Sequence, residues 1–255
     1  PTLSVLGAVE TIAIVVNAQN GVESSTRRMM EAVRQRNLCA MIVVNRIDAE
    51  DVDLEAVYAQ IQESFGSECL AVNLPTSNGS DVVDCFFGTE GESDISSVED
   101  AHTAIVDQTV ELDDDLMTAY LDHGEVAPEQ LHDPFEQAMR ERHVVPVCFV
   151  SSKTGSGVRA FNEFICKMLP SPLEGNPPRF LNGSGDEGES YDVVPDASKP
   201  LLGHVFKISF DPFVGRQAIF RLYQGTLKKD AQVFLKDSRK GLKVGNLSSC
   251  LGKKL

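Results

Sequence analysis

Runs of apolar residues alternate with helical spacing over the first third of the chain. Thr11-Ile12-Ala13-Ile14-Val15-Val16 is short, β-branched and ended by Asn17 and a turn at Asn20-Gly21, so it reads as a buried strand of a parallel sheet. Residues 23–36 space Met29, Met30 and Val33 to one side and turn Arg27, Arg28, Arg34 and Arg36 outward, which predicts an amphipathic helix. A second buried-strand run, Ala40-Met41-Ile42-Val43-Val44, stops at Asn45. Asp53 then caps a helix with Leu54, Val57, Ile61 and Phe65 on one face. Strand, helix, strand, helix at these lengths is a parallel α/β unit.

The pattern breaks at about Asn73 and resumes at Val145. Between them the chain is polar and acidic with mixed short elements, as expected of an α+β insertion of about 70 residues in an α/β domain. Val145-Pro146-Val147-Cys148-Phe149-Val150 is a third buried strand. A helix over 158–168 follows, with Phe161, Phe164, Ile165 and Leu169 on one face, and Pro170-Ser171-Pro172 stops it. Residues 182–190 have the composition of a flexible linker. After Pro200 the texture changes to alternating strands over 202–208, 217–223 and 232–235, with turns at Asp211-Pro212 and Gly225-Thr226. The expected layout is 1–72 and 145–172 as the α/β domain, 73–144 as the insertion, 173–198 as a linker, and 199–255 as an antiparallel β module.

Charge divides the chain more sharply than hydropathy does. The formal net charge is −15, yet residues 81–145 hold 18 acidic and 2 basic side chains while residues 199–255 hold 3 acidic and 12 basic. Opposite fields in one chain suggest two surfaces with different partners, the plainer alternative being two solvated faces. The six cysteines, Cys39, Cys69, Cys85, Cys148, Cys166 and Cys250, form no C-x-x-C pair, which favours free thiols over zinc or disulfides and a cytoplasmic setting. No apolar run is long enough for a membrane span, and no secretory signal is visible. A chain beginning at Pro1 inside a patterned stretch reads as cut from a longer one.

Two polar motifs end two of the predicted strands, where open α/β sheets place ligands. In Asn45-Arg46-Ile47-Asp48, the Asp48 carboxylate suits the N1–H and 2-amino group of guanine, which adenine does not offer in that arrangement. Asn45 can bridge the base edge and neighbouring backbone, and Arg46 can lie across the purine face. In Ser151-Ser152-Lys153-Thr154-Gly155-Ser156-Gly157, small residues let backbone N–H groups approach a ligand carbonyl. Either motif alone has a bland explanation: Asp48 could merely turn the strand end, and Ser/Gly turns commonly cap helices. Their order and placement carry the weight.

These residues resemble the elongation factor G family of translational GTPases. Asn45-Arg46-Ile47-Asp48 is similar to that family's N-K-x-D motif, with Arg46 for Lys. Ser151-Ser152-Lys153 stands in place of its S-A-x motif, with Ser152 for Ala. Pro170-Ser171-Pro172-Leu173 resembles the family's joint between domains. Phe206-Lys207-Ile208, Asp211-Pro212-Phe213-Val214-Gly215 and Tyr223-Gln224-Gly225-Thr226-Leu227 resemble the opening of its second domain, a β-barrel. The resemblance implies a partial P-loop-GTPase-type parallel sheet with an inserted subdomain, and a guanine site formed by Asn45, Arg46, Asp48, Ser151, Ser152 and Lys153. It also implies GTP or GDP with Mg2+ in an intact parent and a ribosomal partner, with the basic module on ribosomal RNA and the acidic insertion near the stalk protein. Neither a membrane nor DNA is expected.

The chain contains no G-x-x-x-x-G-K-[ST], no first-switch segment and no D-x-x-G. No catalytic or metal-binding residue is therefore assigned. The chain alone is expected neither to hydrolyse GTP nor to bind nucleotide tightly, whereas a parent GTPase would. Two other readings stand beside this one: a paralogue in release-factor recycling or ribosome protection, which Arg46 favours slightly, and a scaffold that works without nucleotide.

Overall fold

A computed structural model describes residues 2–123, 126, 130–176, 180–182, 188–213, 215–235, 238 and 240–249. The chain forms two compact units, residues 9–176 and residues 1–8 with 177–255.

The larger unit is built on a parallel sheet of four strands in the order β1 (Thr11–Asn17), β2 (Cys39–Asn45), β6 (Val145–Val150), β3 (Cys69–Ala71). Helices α2 (Ser24–Gln35) and α3 (Leu54–Phe65) connect β1 to β2 and β2 to β3, and α7 (Val158–Met168) follows β6. The expected helix starts and stops hold because their local chemistry does. Asp53 caps α3 by accepting the Ala56 N–H at 2.9 Å, and Leu54, Val57, Ile61 and Phe65 are all buried. β2 and β6 are buried almost throughout. β1 differs from the expectation of a buried strand, because it lies at the sheet edge and leaves Ala13 and Val15 exposed. Arg34, read as an outward cation, instead donates to the Phe65 carbonyl and pairs with Glu68 at 3.0 Å, tying α2 to the end of α3.

The insertion opens with an antiparallel hairpin, β4 (Asn73–Thr76) and β5 (Asp81–Asp84), and continues with α4 (Val98–Val110), α5 (Asp114–His123) and α6 (His132–Glu141). Its acidic residues partly build these helices. The Ser97 hydroxyl caps α4, and the Asp113 carboxylate accepts the Asp115 and Leu116 N–H groups at 3.0 and 2.9 Å at the start of α5. The insertion does not have a core to itself. Ile105, Val106, Leu116, Leu131, Phe135 and Met139 share one buried cluster with Met41 and Val43 of β2, Cys148 and Val150 of β6, and Phe164 and Met168 of α7. Phe86, Phe135 and Phe164 meet edge to face at its centre, with centroids 4.9 to 5.8 Å apart.

In the smaller unit, β9 (Leu202–Asp211) and β10 (Gly215–Gln224) form a long hairpin with a bulge at Ile219/Phe220. A two-stranded ribbon needs something packed on it. Here one side carries α1 (Thr2–Val5) and the turn after it: His204 and Tyr223 bond the Gly7 carbonyl at 3.2 and 3.1 Å, and Arg221 donates to the Ala8 carbonyl at 3.1 Å. Val205, Ile208, Phe210, Phe220 and Leu222 are exposed. The third expected strand shrinks to β11 (Gln232–Val233), which pairs with β12 (Leu242–Lys243). Of the expected linker, residues 177–179 lie outside the described residues, as do residues 183–187. Their flanks pair as β7 (Leu181–Asn182) and β8 (Glu189–Ser190).

Cys39, Cys69, Cys85 and Cys148 are buried free thiols, whereas Cys166 is exposed and Cys250 lies outside the described residues. Burial pushes the Cys39 thiol up to about 11 and those of Cys69 and Cys85 up to about 12, so they stay protonated and unreactive. Among the described residues no helix is long and apolar enough to cross a membrane.

Candidate functional site

The parallel register sets Asn17 beside Asn45 and Asn45 beside Val150, so the carboxyl ends of β1, β2 and β6 finish abreast. The loops leaving β2 and β6 therefore start side by side, although Val150 lies 105 positions after Asn45. Both sequence motifs lie on these two loops, and hydrogen bonds join them.

Asn45 works as a staple. Its Nδ2 donates to Ser152 Oγ at 3.1 Å, and its Oδ1 accepts the Ser152 N–H at 3.0 Å and the Arg46 N–H at 2.8 Å. Its carbonyl accepts the Ala18 N–H at 2.9 Å, which fixes the end of β2 against β1. Asp48 is held by the same opposing loop. Ser151, fully buried, donates its hydroxyl to Asp48 Oδ1 at 2.6 Å, and Lys153 Nζ stands 3.6 Å from Oδ2. The Ser151 hydroxyl above all, then the backbone N–H of Asp48 itself and the nearby Lys153 charge, hold the Asp48 carboxyl below its ordinary value. The Asp48 side chain retains 12% exposure and Lys153 retains 83%. The site thus offers a partly exposed carboxylate, ionised at neutral pH, beside an exposed cation. Arg46 is exposed and sits in the left-handed region at φ 70°, which points its backbone away from the strand direction.

The β6 loop is closed by Ser151, whose N–H donates to the Ser156 carbonyl at 2.9 Å and whose Oγ accepts the Thr154 N–H at 3.2 Å. Gly157 follows at φ 71°, and a Cβ there would overlap the Phe149 carbonyl oxygen. Only glycine lets α7 start so close to β6. All six residues expected to form a site are therefore in one place, with Asn45, Asp48, Ser151, Ser152 and Lys153 directly linked.

A family model for the elongation factor Tu GTP-binding domain matches residues 2–171. The chain belongs to this family of GTP-binding domains. Guanine nucleotide use is thus a property of the family, whose members work in translation. A crystal structure from Thermus thermophilus is similar over 99% of this chain, with a TM-score of 0.74 and 28% identity. This chain spans only 37% of the length of that one. For this GTP-binding family member, the likeness extends beyond the matched domain into the smaller unit.

Two residues at the site carry no signal in the motifs. Asn73, buried, bonds both backbone groups of Phe149, and Gly79 lies against the Ile47 carbonyl. The second could have been found from Asn78-Gly79 between two apolar stretches, a strong hairpin signature. The first could not, because a buried amide looks like any loop asparagine in the sequence.

Proposed function

We propose that the chain forms the guanine-reading part of a translational GTPase of the elongation factor G type, with Asp48 selecting the base. The observation that supports this best is the pairing of Asn45 with Ser152 and of Asp48 with Ser151 across two adjacent strand ends. The depressed Asp48 carboxyl supplies two acceptor oxygens at neutral pH, which match the N1–H and 2-amino donors of guanine. Asn45 holds the two loops at the spacing the base needs. Arg46 covers one face of the purine, and the stem of Lys153 lies along the other while its ammonium stays in water.

The residues present fit the guanine end of GTP and not its magnesium–phosphate end. The sequence has no phosphate-cradling G-x-x-x-x-G-K-[ST], and among the described residues no group of three or more His, Cys, Asp or Glu could hold a metal ion. No hydrolytic step is assigned to this chain; in a complete GTPase the phosphate and Mg2+ sites would supply it. The partner is the ribosome in the cytoplasm. Lys228, Lys229, Lys240 and Lys243, all on the surface, face ribosomal RNA, and the acidic insertion faces a basic protein surface near the stalk. Lys236 and Arg239 of the same cluster lie outside the described residues.

Titrating guanine and xanthine nucleotides against wild type and Asp48→Asn tests the base assignment. The amide presents a donor where the carboxylate accepted, so preference should move toward xanthine by roughly ten- to hundredfold, the scale of one bidentate base contact. Unchanged discrimination would show that Asp48 does not read the base.

A further inference from the structure

We infer that the β4–β5 hairpin, through Asn73 and Gly79, is the positioning element that sets both base-recognition loops. This deepens the guanine assignment and rests on it for its meaning, though not for its geometry.

β3 ends at Ala71, and the Val72 N–H still bonds the Val147 carbonyl at 3.0 Å. One residue later the main chain turns away into β4, and a side chain continues the ladder. Asn73 Nδ2 donates to the Phe149 carbonyl at 3.0 Å and its Oδ1 accepts the Phe149 N–H at 2.7 Å, with the residue 3% exposed. A primary amide has the shape and polarity of a peptide group, so Asn73 satisfies Phe149 as a neighbouring strand would. Phe149 is the penultimate residue of β6. The next residue, Val150, accepts the Ile47 N–H at 3.4 Å, and the one after it is Ser151. Asn73 therefore fixes the last peptide from which the β6 loop and its bond to the β2 loop both depart.

The far end of the hairpin reaches the β2 loop directly. Ser77, Asn78 and Gly79 are all left-handed, with φ of 55°, 56° and 74°, and a Cβ on Gly79 would overlap the Ile47 carbonyl oxygen. Asp94 holds the turn there by accepting the Gly79 N–H at 3.1 Å, while its own N–H bonds the Pro75 carbonyl at 2.8 Å. Ile47 lies between Arg46 and Asp48, with its N–H on β6 and its carbonyl against this turn. The hairpin also reaches the other loop, because Val82 Cγ1 would stand 3.3 Å from a Cβ on Gly157.

The test is amide hydrogen exchange on the full chain for wild type, Asn73→Ala and Gly79→Ala, followed by guanosine titration read from backbone amide shifts. Loss of the two Phe149 bonds should raise exchange at Ile47, Ser152 and Thr154 by about tenfold while Val43 and Val44 of β2 keep their protection. Guanosine affinity should fall by a similar factor, and Gly79→Ala should displace the Ile47 and Asp48 signals. Unchanged exchange at the loops, or exchange that rises equally throughout β2, overturns the inference, since a purely structural amide would destabilise the unit as a whole. If Gly79→Ala fails to fold, Asn73→Ala decides alone. If wild type shows no guanosine response at 45–48 or 151–154, the guanine assignment fails, and the exchange data still judge the positioning role.

Discussion

Replacing Phe86 by Ala should destabilise the insertion and the parallel sheet together. Phe86 is 1% exposed and touches Phe135 of α6 and Phe164 of α7 edge to face at 4.9 and 5.5 Å, so it links the insertion to the element that follows β6. Truncating a buried Phe costs about 3–5 kcal/mol through lost transfer energy and the cavity left behind. The lost edge-to-face contacts, roughly 0.5–1.5 kcal/mol per pair, lie within that range and should place this site at its upper end. Against a domain stability of about 5–15 kcal/mol this is a large fraction. Urea unfolding followed by far-UV circular dichroism, with hydrogen exchange resolved by segment, measures it. The expected result is a single transition at lower urea with unchanged slope, and a matching loss of protection in α4, α6, β2 and β6. If Phe86→Ala releases residues 98–141 while 39–45 and 145–150 keep their full protection, the insertion folds on its own and the shared core is not what holds it.

Three further outcomes follow from the same contacts. Asp48 has a depressed carboxyl, so its contribution to stability is present above the unfolded value near pH 4 and is lost as pH falls through the lower folded value; Ser151→Ala should move the Asp48 carboxyl midpoint upward in a carbon-13 titration, and no movement would refute the Ser151 hydrogen bond as its cause. Asp113→Ala should cost about 1 kcal/mol through loss of the α5 cap, measurable as a lower denaturation midpoint, whereas Asp114→Lys and Asp115→Lys leave the cap in place and suit a test of the proposed acidic docking surface. Charge reversal at Lys228 and Lys229 should weaken ribosome binding by the protein and flatten its salt dependence; binding unaffected at every ionic strength would reduce the basic cluster to a solubility feature.

The alternation of buried strands and amphipathic helices made the α/β unit legible, because a strand covered on both faces needs an unbroken apolar run, as in 40–44 and 145–150. β1 has the same kind of sequence and a different environment, since composition does not say which strand is at the edge. β3 has no signature in the sequence, because three apolar residues carry no period. The acidic composition of the insertion gives no sign that Phe86, Ile105 and Phe135 pack into the sheet's own core. Much of its charge lies on outward faces and at helix starts, as with Asp113, although Glu136 of α6 is buried and paired with Arg140 at 2.7 Å, and an averaged count hides that. At the site, the motif residues were legible from their positions at strand ends. The turn at Asn78-Gly79 was legible as a hairpin, but the side-chain amide of Asn73 was not, because the Phe149 backbone it bonds is brought close only by the fold.

Asp48, held by Ser151, is proposed to read the guanine edge. Amide shift titration of the chain with guanosine, inosine and adenosine tests it without depending on any phosphate contact. Guanosine should shift Asn45, Arg46, Asp48, Ser152 and Lys153, inosine should bind more weakly for want of the 2-amino donor, and adenosine should leave these signals in place. Equal responses to all three, or a guanosine response confined to other residues, would contradict the account.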